Sequence, residues 1–103
     1  MIIAIVTFDL AKPASREEMS TVFQSTAPKY RDMPGLLRKN YFLSEDGRRA
    51  GGIYVWKSRA DADRVYTADW KAFVAGKYGV QPRFEFVESP VMVDNKDATI
   101  TVD

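Results

Sequence analysis

Apolar residues recur along this chain with the spacings of strands and helices. Residues 2–9 are β-branched and almost wholly apolar, which is typical of a strand that is covered on both faces. Further extended segments are predicted at residues 35–43, 50–56, 81–93 and 99–102, and Pro90 interrupts the fourth of them. The pattern therefore predicts a protein rich in short strands.

Two segments have helical spacing. Ser15 and Glu18 have the separation of a capping box, and an apolar stripe follows from Met19 to Tyr30. Pro28 predicts a kink or break near residue 27, because proline lacks the backbone donor that a helix needs. A second helix is predicted to begin after Ser58 and to continue as one aromatic stripe to a glycine at residue 76 or 79.

The dipeptide Asp46-Gly47 predicts a two-residue type I′ turn between the second and third strands, because both central residues of that turn need positive φ. This turn fixes the strand register and therefore decides which side chains share a face. The predicted opposite pairs are Tyr41 with Gly52, Lys39 with Tyr54 and Leu37 with Trp56.

The predicted order is β-α-β-β-α-β with an added C-terminal strand, which is the ferredoxin-like α+β arrangement with a four-stranded antiparallel sheet. We assign residues 1–95 to a single domain and residues 96–103 to a C-terminal tail or strand. Two helices on one face leave the other face of the sheet open, although the first strand is apolar on both sides. We therefore expect a homodimer in which two sheets face each other and residues 98–102 contact the partner subunit.

Composition narrows the chemistry that is available. The chain has 103 residues, no cysteine and no histidine, so it has no thiolate nucleophile, Ser-His-Asp relay or Cys/His zinc site. The net charge is +1 and the charges are interspersed, so we expect no nucleic-acid partner. No segment has the length of a membrane span and none has the features of a signal peptide, so we expect a cytoplasmic protein that does not bind membranes.

The predicted register places a lysine among aromatic side chains on one face of the sheet. Burial would leave the Lys39 ammonium in need of an anion such as a phenolate, an enolate or a carboxylate, so Lys39 is the candidate catalytic residue. The candidate substrate-binding residues are Tyr41, Tyr54, Trp56, Tyr66, Trp70 and Phe23. We expect no metal and no cofactor at this site.

Three alternatives to this site remain open. Lys39 would instead be a structural residue if it paired with Glu85 or Glu88 while the aromatic residues filled the core. A register shift of one residue would exchange the faces and bring Arg38 and Asn40 into the pocket. The pair at residues 51–52 either leaves room for a ligand or ring, or forms a β-bulge, which we consider the better interpretation.

The segments at residues 33–43, 45–47 and 50–56 together resemble those of the YdhR-like monooxygenases of the dimeric α+β barrel superfamily. They read MPGLLRKNYFL, EDG and AGGIYVW, and the resemblance continues through Tyr78-Gly79, Pro82 and the sequence VMVDN at residues 91–95. The resemblance implies a dimeric α+β barrel. It also implies a cofactor-independent monooxygenase that acts on a small aromatic or enolisable compound.

A second function remains compatible with the same fold. Members of this superfamily that degrade haem or use an imidazole base resemble histidine-dependent enzymes, and this chain contains no histidine. The alternative to an oxygenase is a non-catalytic homodimer that binds a small ligand or another protein. An open pocket around an unpaired Lys39 favours ligand chemistry, and a filled core with a salt-bridged Lys39 favours the alternative.

Overall fold

A computed structural model describes residues 1–103. The elements are β1 (Ile2–Asp9), α1 (Arg16–Tyr30), β2 (Leu36–Leu43), β3 (Arg49–Trp56), α2 (Arg59–Val65), α3 (Ala68–Tyr78), β4 (Arg83–Glu88), β5 (Val91–Asp94) and β6 (Thr99–Val102). The first four strands along the chain form an antiparallel sheet in the order β2-β3-β1-β4. This arrangement confirms the predicted ferredoxin-like α+β fold.

One face of the sheet carries the hydrophobic core. Ala4, Val6 and Phe8 alternate along β1 toward the helices and are almost completely buried. They pack with Tyr54 and Trp56 of β3 and with apolar side chains of all three helices. The period-two alternation therefore divides β1 between a helix-covered inner face and an outer face.

Helix α1 begins where the sequence predicts and continues further than expected. The Ser15 hydroxyl accepts the Glu18 N–H, and the Glu18 carboxylate accepts the Ser15 N–H, which completes the capping box. The predicted break near residue 27 does not occur, because Pro28 lies inside the helix, which ends at Tyr30. Pro28 removes only one backbone hydrogen bond in the last turn, and burial of Tyr30 stabilises this end of the helix.

The β2–β3 hairpin has the predicted register but a different turn. Tyr41 lies opposite Gly52 and Lys39 opposite Tyr54, as expected. Within the loop at residues 45–48 only Gly47 has positive φ, at 73°, so the predicted type I′ turn is wrong. A bulge between residues 36 and 38 places Leu36, rather than Leu37, opposite Trp56. Leu36 therefore packs against the core, while Leu37 is 43% exposed.

The second predicted helix is two helices. α2 ends at Val65, and Thr67 begins α3 by accepting the Trp70 N–H at 3.2 Å with its hydroxyl. A threonine side chain that bonds to the backbone in this way favours a helix start over helix continuation. Gly79 ends α3 in the left-handed conformation, with φ of 76°, as one of the two predicted glycines.

We expect Thr67→Ala to lower the free energy of unfolding by about 1 kcal/mol, because it removes the cap of α3 without removing buried apolar surface. Urea denaturation of the variant and the wild type measures the difference. Thr21→Ala is the matched control, because Thr21 is an exposed threonine inside α1. Equal losses in the two variants would contradict a capping role for Thr67.

Strands β5 and β6 form a separate two-stranded hairpin that follows Pro90. Val91 lies opposite Val102 and Val93 opposite Ile100, and all four side chains are more than half exposed. The boundary predicted after residue 95 falls in the turn of this hairpin. None of the helices α1 to α3 combines the length and the apolar composition needed to cross a bilayer.

Candidate functional site

Lys39 lies on the inner face of edge strand β2, where three tyrosines surround its ammonium group. The Nζ atom is 3.4 Å from the ring centroid of Tyr30, 3.9 Å from that of Tyr41 and 4.4 Å from that of Tyr54. We call these three residues the tyrosine cage. They come from α1, β2 and β3, so the cage depends on the packing of the first helix against the hairpin. The ring faces attract a cation, which partly compensates for its lost hydration.

No carboxylate neutralises the Lys39 side chain. Its ammonium forms no ion pair, and the predicted alternative partners Glu85 and Glu88 lie on β4, at the opposite edge of the sheet. Burial lowers the pKa of Lys39 to about 7, and the charge of Lys29 contributes to the shift. A lysine with this pKa is present as both ammonium and neutral amine near neutral pH. The interpretation of Lys39 as a salt-bridged structural residue is therefore wrong.

Tyr41 connects the cage to helix α1. Its hydroxyl is 2.7 Å from the Thr26 hydroxyl, and its ring stacks on Phe23 with a centroid separation of 4.6 Å. Burial raises the pKa of Tyr41, so this phenol is neutral over the range in which Lys39 titrates. Tyr41 is therefore a hydrogen-bonding and stacking group rather than an anion at neutral pH.

The two glycines of β3 make room for this arrangement without a bulge. They are paired in regular register with residues 41 and 42, so the predicted bulge at this position is wrong. A Cβ on Gly52 would lie 2.8 Å from the Tyr54 ring and 3.0 Å from Cε of Lys39. The absence of a side chain at Gly52 therefore allows Lys39 to lie against Tyr54.

Three cavities of different size meet around Tyr41. The inner cavity, which lies beside Lys39 between the sheet, α1 and α3, has a volume of only about 10 Å³. The α1–β2 cleft, lined by residues that include Tyr30, Leu36, Arg38, Lys39 and Tyr41, has about 370 Å³. The α1 groove, lined by residues that include Met19, Phe23, Tyr41 and Leu43, has about 720 Å³. The inner cavity has room for about one water, whereas the cleft reaches Lys39 with space for a small molecule.

The structure brings only part of the predicted site together. Tyr41, Tyr54 and Trp70 line the inner cavity with Lys39, and the Trp70 Nε1–H donates to the Tyr30 hydroxyl at 3.0 Å. Phe23 lies outside this cavity, in the α1 groove.

Two other predicted binding residues lie in the core rather than along the cavities. Trp56 is completely buried, and its Nε1–H donates to the Tyr66 hydroxyl at 3.1 Å. Tyr66 packs edge-on against Tyr54 and Phe84, and burial raises its pKa. Neither Trp56 nor Tyr66 lines the inner cavity, the cleft or the groove.

Several residues that line the inner cavity were not predicted as site residues from the sequence. They are Phe8, Thr26, Tyr30, Phe73, Val74, Lys77 and Tyr78. Tyr30 could have been found, because it ends the apolar stripe of α1, the helix expected to cover the sheet. Which α3 side chains face this cavity depends on the rotation of α3 about its axis, and the helix break at Thr67 sets that rotation. Lys39 and Lys77 are the charged residues of this lining, which contains no acid.

The sequence comparisons identify one family. Residues 3–81 match the family described as "Putative mono-oxygenase ydhR". Among curated protein sequences, none matches this chain.

The fold is similar to those of solved monooxygenase structures. An antibiotic biosynthesis monooxygenase is 20% identical, with a TM-score of 0.65 over 86% of this chain and 98% of that one. The ActVA-Orf6 monooxygenase of Streptomyces coelicolor, solved with Nanaomycin D, is 22% identical with a TM-score of 0.65, covering 85% of this chain and 86% of that one. SnoaB, a cofactor-independent oxygenase from Streptomyces nogalater, is 15% identical with a TM-score of 0.62, covering 85% and 91%. At these identities the comparisons establish the shared fold.

Proposed function

The chain belongs to the YdhR mono-oxygenase family, and on this premise we propose that it oxidises a small aromatic or enolisable compound with dioxygen and without a cofactor. The observation that supports this proposal is the unpaired Lys39 in the tyrosine cage, which is also one of the residues that line a cleft of about 370 Å³. An oxygenase without a cofactor must obtain its electrons from the substrate. It therefore needs a group that makes the substrate an electron-rich anion.

Lys39 has the properties required for that first step. With its pKa near 7, part of the population is neutral amine at neutral pH, and this amine takes a proton from a phenolic or enolic O–H. The resulting ammonium lies among the faces of the tyrosine rings, which stabilise the new positive charge. It also faces the substrate anion, so a single side chain acts first as a base and then as a counter-ion.

The anion then reacts with dioxygen. Its carbon donates two electrons to O₂, a carbon–oxygen bond forms, and the distal oxygen of the peroxide takes a proton from the Lys39 ammonium. The O–O bond breaks as the carbon loses its remaining hydrogen, which leaves a carbonyl group and one molecule of water. The balance is R₂CH₂ + O₂ → R₂CO + H₂O, and the substrate supplies all four electrons.

We place the substrate in the α1–β2 cleft, with its acidic O–H toward Lys39. The apolar sides of this cleft come from residues that include Leu36 and Leu37, and its rim carries Arg31 and Arg38. Asp32 is the only acid in the lining, so cationic groups outnumber it and favour an anionic ligand. Tyr41 borders both the cleft and the groove and adds aromatic surface to the wall of this proposed substrate site.

An oxygen electrode tests the proposed reaction directly. The purified protein is given a panel of phenols, hydroquinones and 1,3-dicarbonyl compounds, and oxygen uptake is compared with that in buffer alone. We expect at least one compound to be oxidised with one O₂ consumed per carbonyl formed. If no compound raises oxygen uptake above the buffer rate, the proposed reaction is wrong.

A non-catalytic ligand-binding dimer is the second candidate function. The observation that favours it is the inner cavity of about 10 Å³, which leaves almost no free space directly beside Lys39. Binding of an aromatic anion, measured by quenching of tryptophan fluorescence, separates the two candidates when it is combined with oxygen uptake. Binding without uptake would support the second candidate, and binding with uptake the first.

We also propose that the protein acts as a homodimer in the cytoplasm. The outer face of the sheet carries Ile3, Ile5, Ile53, Val55 and Val87, which are neighbours in the strand register. The helices cover only the inner face, and a second copy of the same sheet would bury this apolar patch. We propose that residues 98–102 contact the partner subunit, and the exposure of Ile100 and Val102 in the β5–β6 hairpin supports this.

We expect Ile53→Glu to convert the dimer to a monomer at micromolar concentration, because two buried carboxylates would face the apolar interface. Light scattering coupled to size-exclusion chromatography measures the mass. Ala72→Glu, at an exposed position on α3, is the control and should remain dimeric. A monomeric wild type, or a dimeric Ile53 variant, would contradict this use of the outer face.

A further inference from the structure

We propose a second activity for the same lysine: the Lys39 amine forms a covalent enaminone with a 1,3-dicarbonyl compound that enters through the α1–β2 cleft. This reaction needs no dioxygen. It depends on the placement of Lys39 beside the cleft but not on the proposed oxygenase reaction.

Lys39 differs from all the other lysines of the chain in its surroundings. It is the only one of the seven that is not exposed to solvent. A lysine becomes nucleophilic in proteins when it is desolvated or lies near another cation, and both conditions occur here. The tyrosine cage desolvates Lys39, and the charge of Lys29 on α1 acts on it. The same two causes lower its pKa to about 7, so neutral amine is available at neutral pH.

The charged and titratable groups around Lys39 leave the amine free to react. Tyr30, Tyr41 and Tyr54 present their rings to it, and burial raises the pKa of both Tyr41 and Tyr54. Lys77 and Tyr78 of α3 line the same inner cavity, which contains no acid, and burial raises the pKa of Tyr78. Among the residues that line the cleft, Asp32 is the only carboxylate, and it forms no ion pair with Lys39.

The covalent step balances without an oxidant. Nζ attacks one carbonyl carbon and a carbon–nitrogen bond forms. The carbonyl oxygen then leaves as water with one hydrogen from the nitrogen and one from the central CH₂. The product, Lys39-NH-C(R)=CH-CO-R′, is conjugated and absorbs in the near ultraviolet. A 1,3-dicarbonyl suits the site because it is small and flat, and because conjugation makes the product persist in water.

The test uses acetylacetone under nitrogen at pH 7. The absorbance of the conjugated product is followed, and peptide mass spectrometry then locates the modified lysine. We expect Lys39 to react about tenfold faster than Lys57, an exposed lysine of the same chain, because Lys39 is desolvated and its pKa is lowered to about 7. The rate at Lys39 should rise with pH up to about 8 and then level off, because nearly all of the Lys39 amine is then deprotonated.

Because Lys39 and Lys57 are compared within the wild-type protein, the main test does not depend on whether a variant folds. Two variants then show which lysine produces the absorbance. Lys39→Met should lose the new absorbance, and Lys57→Met should keep it. Equal modification of Lys39 and Lys57, or a Lys39 rate that shows no plateau, would overturn the proposal. Because oxygen is excluded from this test, enaminone formation does not depend on the oxygenase reaction. The separate oxygen-electrode assay tests that reaction, so either proposal can fail while the other holds.

Discussion

Replacing Lys39 by methionine is expected to lower substrate-dependent oxygen uptake by about 100-fold or more. In the proposed mechanism this variant removes both the base that forms the substrate anion and the cation that stabilises it, and each of these roles is typically worth that much. Methionine has a similar length and is apolar, so it can fill the tyrosine cage without burying a new polar group. The measurement is the initial rate of oxygen uptake with the best compound of the panel, at pH 7.5.

Two further variants divide the effect between its causes. Lys39→Arg keeps a permanent cation but removes the base, so it should recover part of the loss for compounds that are already ionised and none for those that need deprotonation. Lys57→Met is the control for a lysine outside the site and should retain the wild-type rate.

The wild-type rate should increase from pH 6 to pH 8, because the neutral amine replaces the ammonium as the pH passes about 7. A Lys39→Met variant as fast as wild type would contradict the mechanism.

The register of the hairpin could be predicted from the sequence although its turn could not. A two-residue turn at Asp46-Gly47 and the observed loop at residues 45–48 pair the same strand residues, because both are centred between residues 46 and 47. Lys39 therefore faces the helices in either case. The bulge at Leu37 was not predictable. Leu36 and Leu37 are adjacent and equally apolar, so the hydrophobic pattern does not show which one faces the core.

The break between α2 and α3 was also not predictable from the apolar pattern. Tyr66 and Trp70 are four residues apart, so their spacing continues a helical stripe across the junction between α2 and α3. What starts α3 as a separate helix is a local hydrogen bond of the Thr67 side chain, which an apolar pattern does not report. The break also affects the candidate site, because it sets the rotation of α3 and therefore which α3 side chains line the inner cavity.

The sheet face that carries the candidate site could be predicted from the sequence, but the burial of each of its residues could not. Alternation along a strand assigns Lys39, Tyr41, Tyr54 and Trp56 to one side of the sheet. It does not say which of them lies beneath a helix and which lies beside a cavity. α1 packs over Lys39, which makes Tyr30 part of the cage. Trp56, further along β3, is covered by Tyr66 and lies in the core.

The stability of the Lys39→Met variant is expected to exceed that of wild type by a few kcal/mol at pH 6, and this difference should shrink as the pH rises toward 10. The pKa of Lys39 is about 7 in the folded protein, below the value of 10.5 for the unfolded chain. Below pH 7 both states hold the proton, so the folded wild type carries the full cost of a buried cation. Between pH 7 and 10.5 the unfolded state binds more protons than the folded state, so wild-type stability rises with pH.

Methionine cannot titrate, so the difference in unfolding free energy between the two proteins isolates this one group while the contributions of all other groups cancel. Urea denaturation at pH 6, 7.5, 9 and 10 measures it, with both proteins at equal concentration because the stability of the proposed dimer would depend on concentration. Lys57→Met should show no such trend, since Lys57 is exposed in the folded state. A Lys39→Met difference that is constant with pH would mean that the cage imposes no cost on the ammonium. Lys39 would then keep its proton near neutral pH and could act as a counter-ion but not as the base.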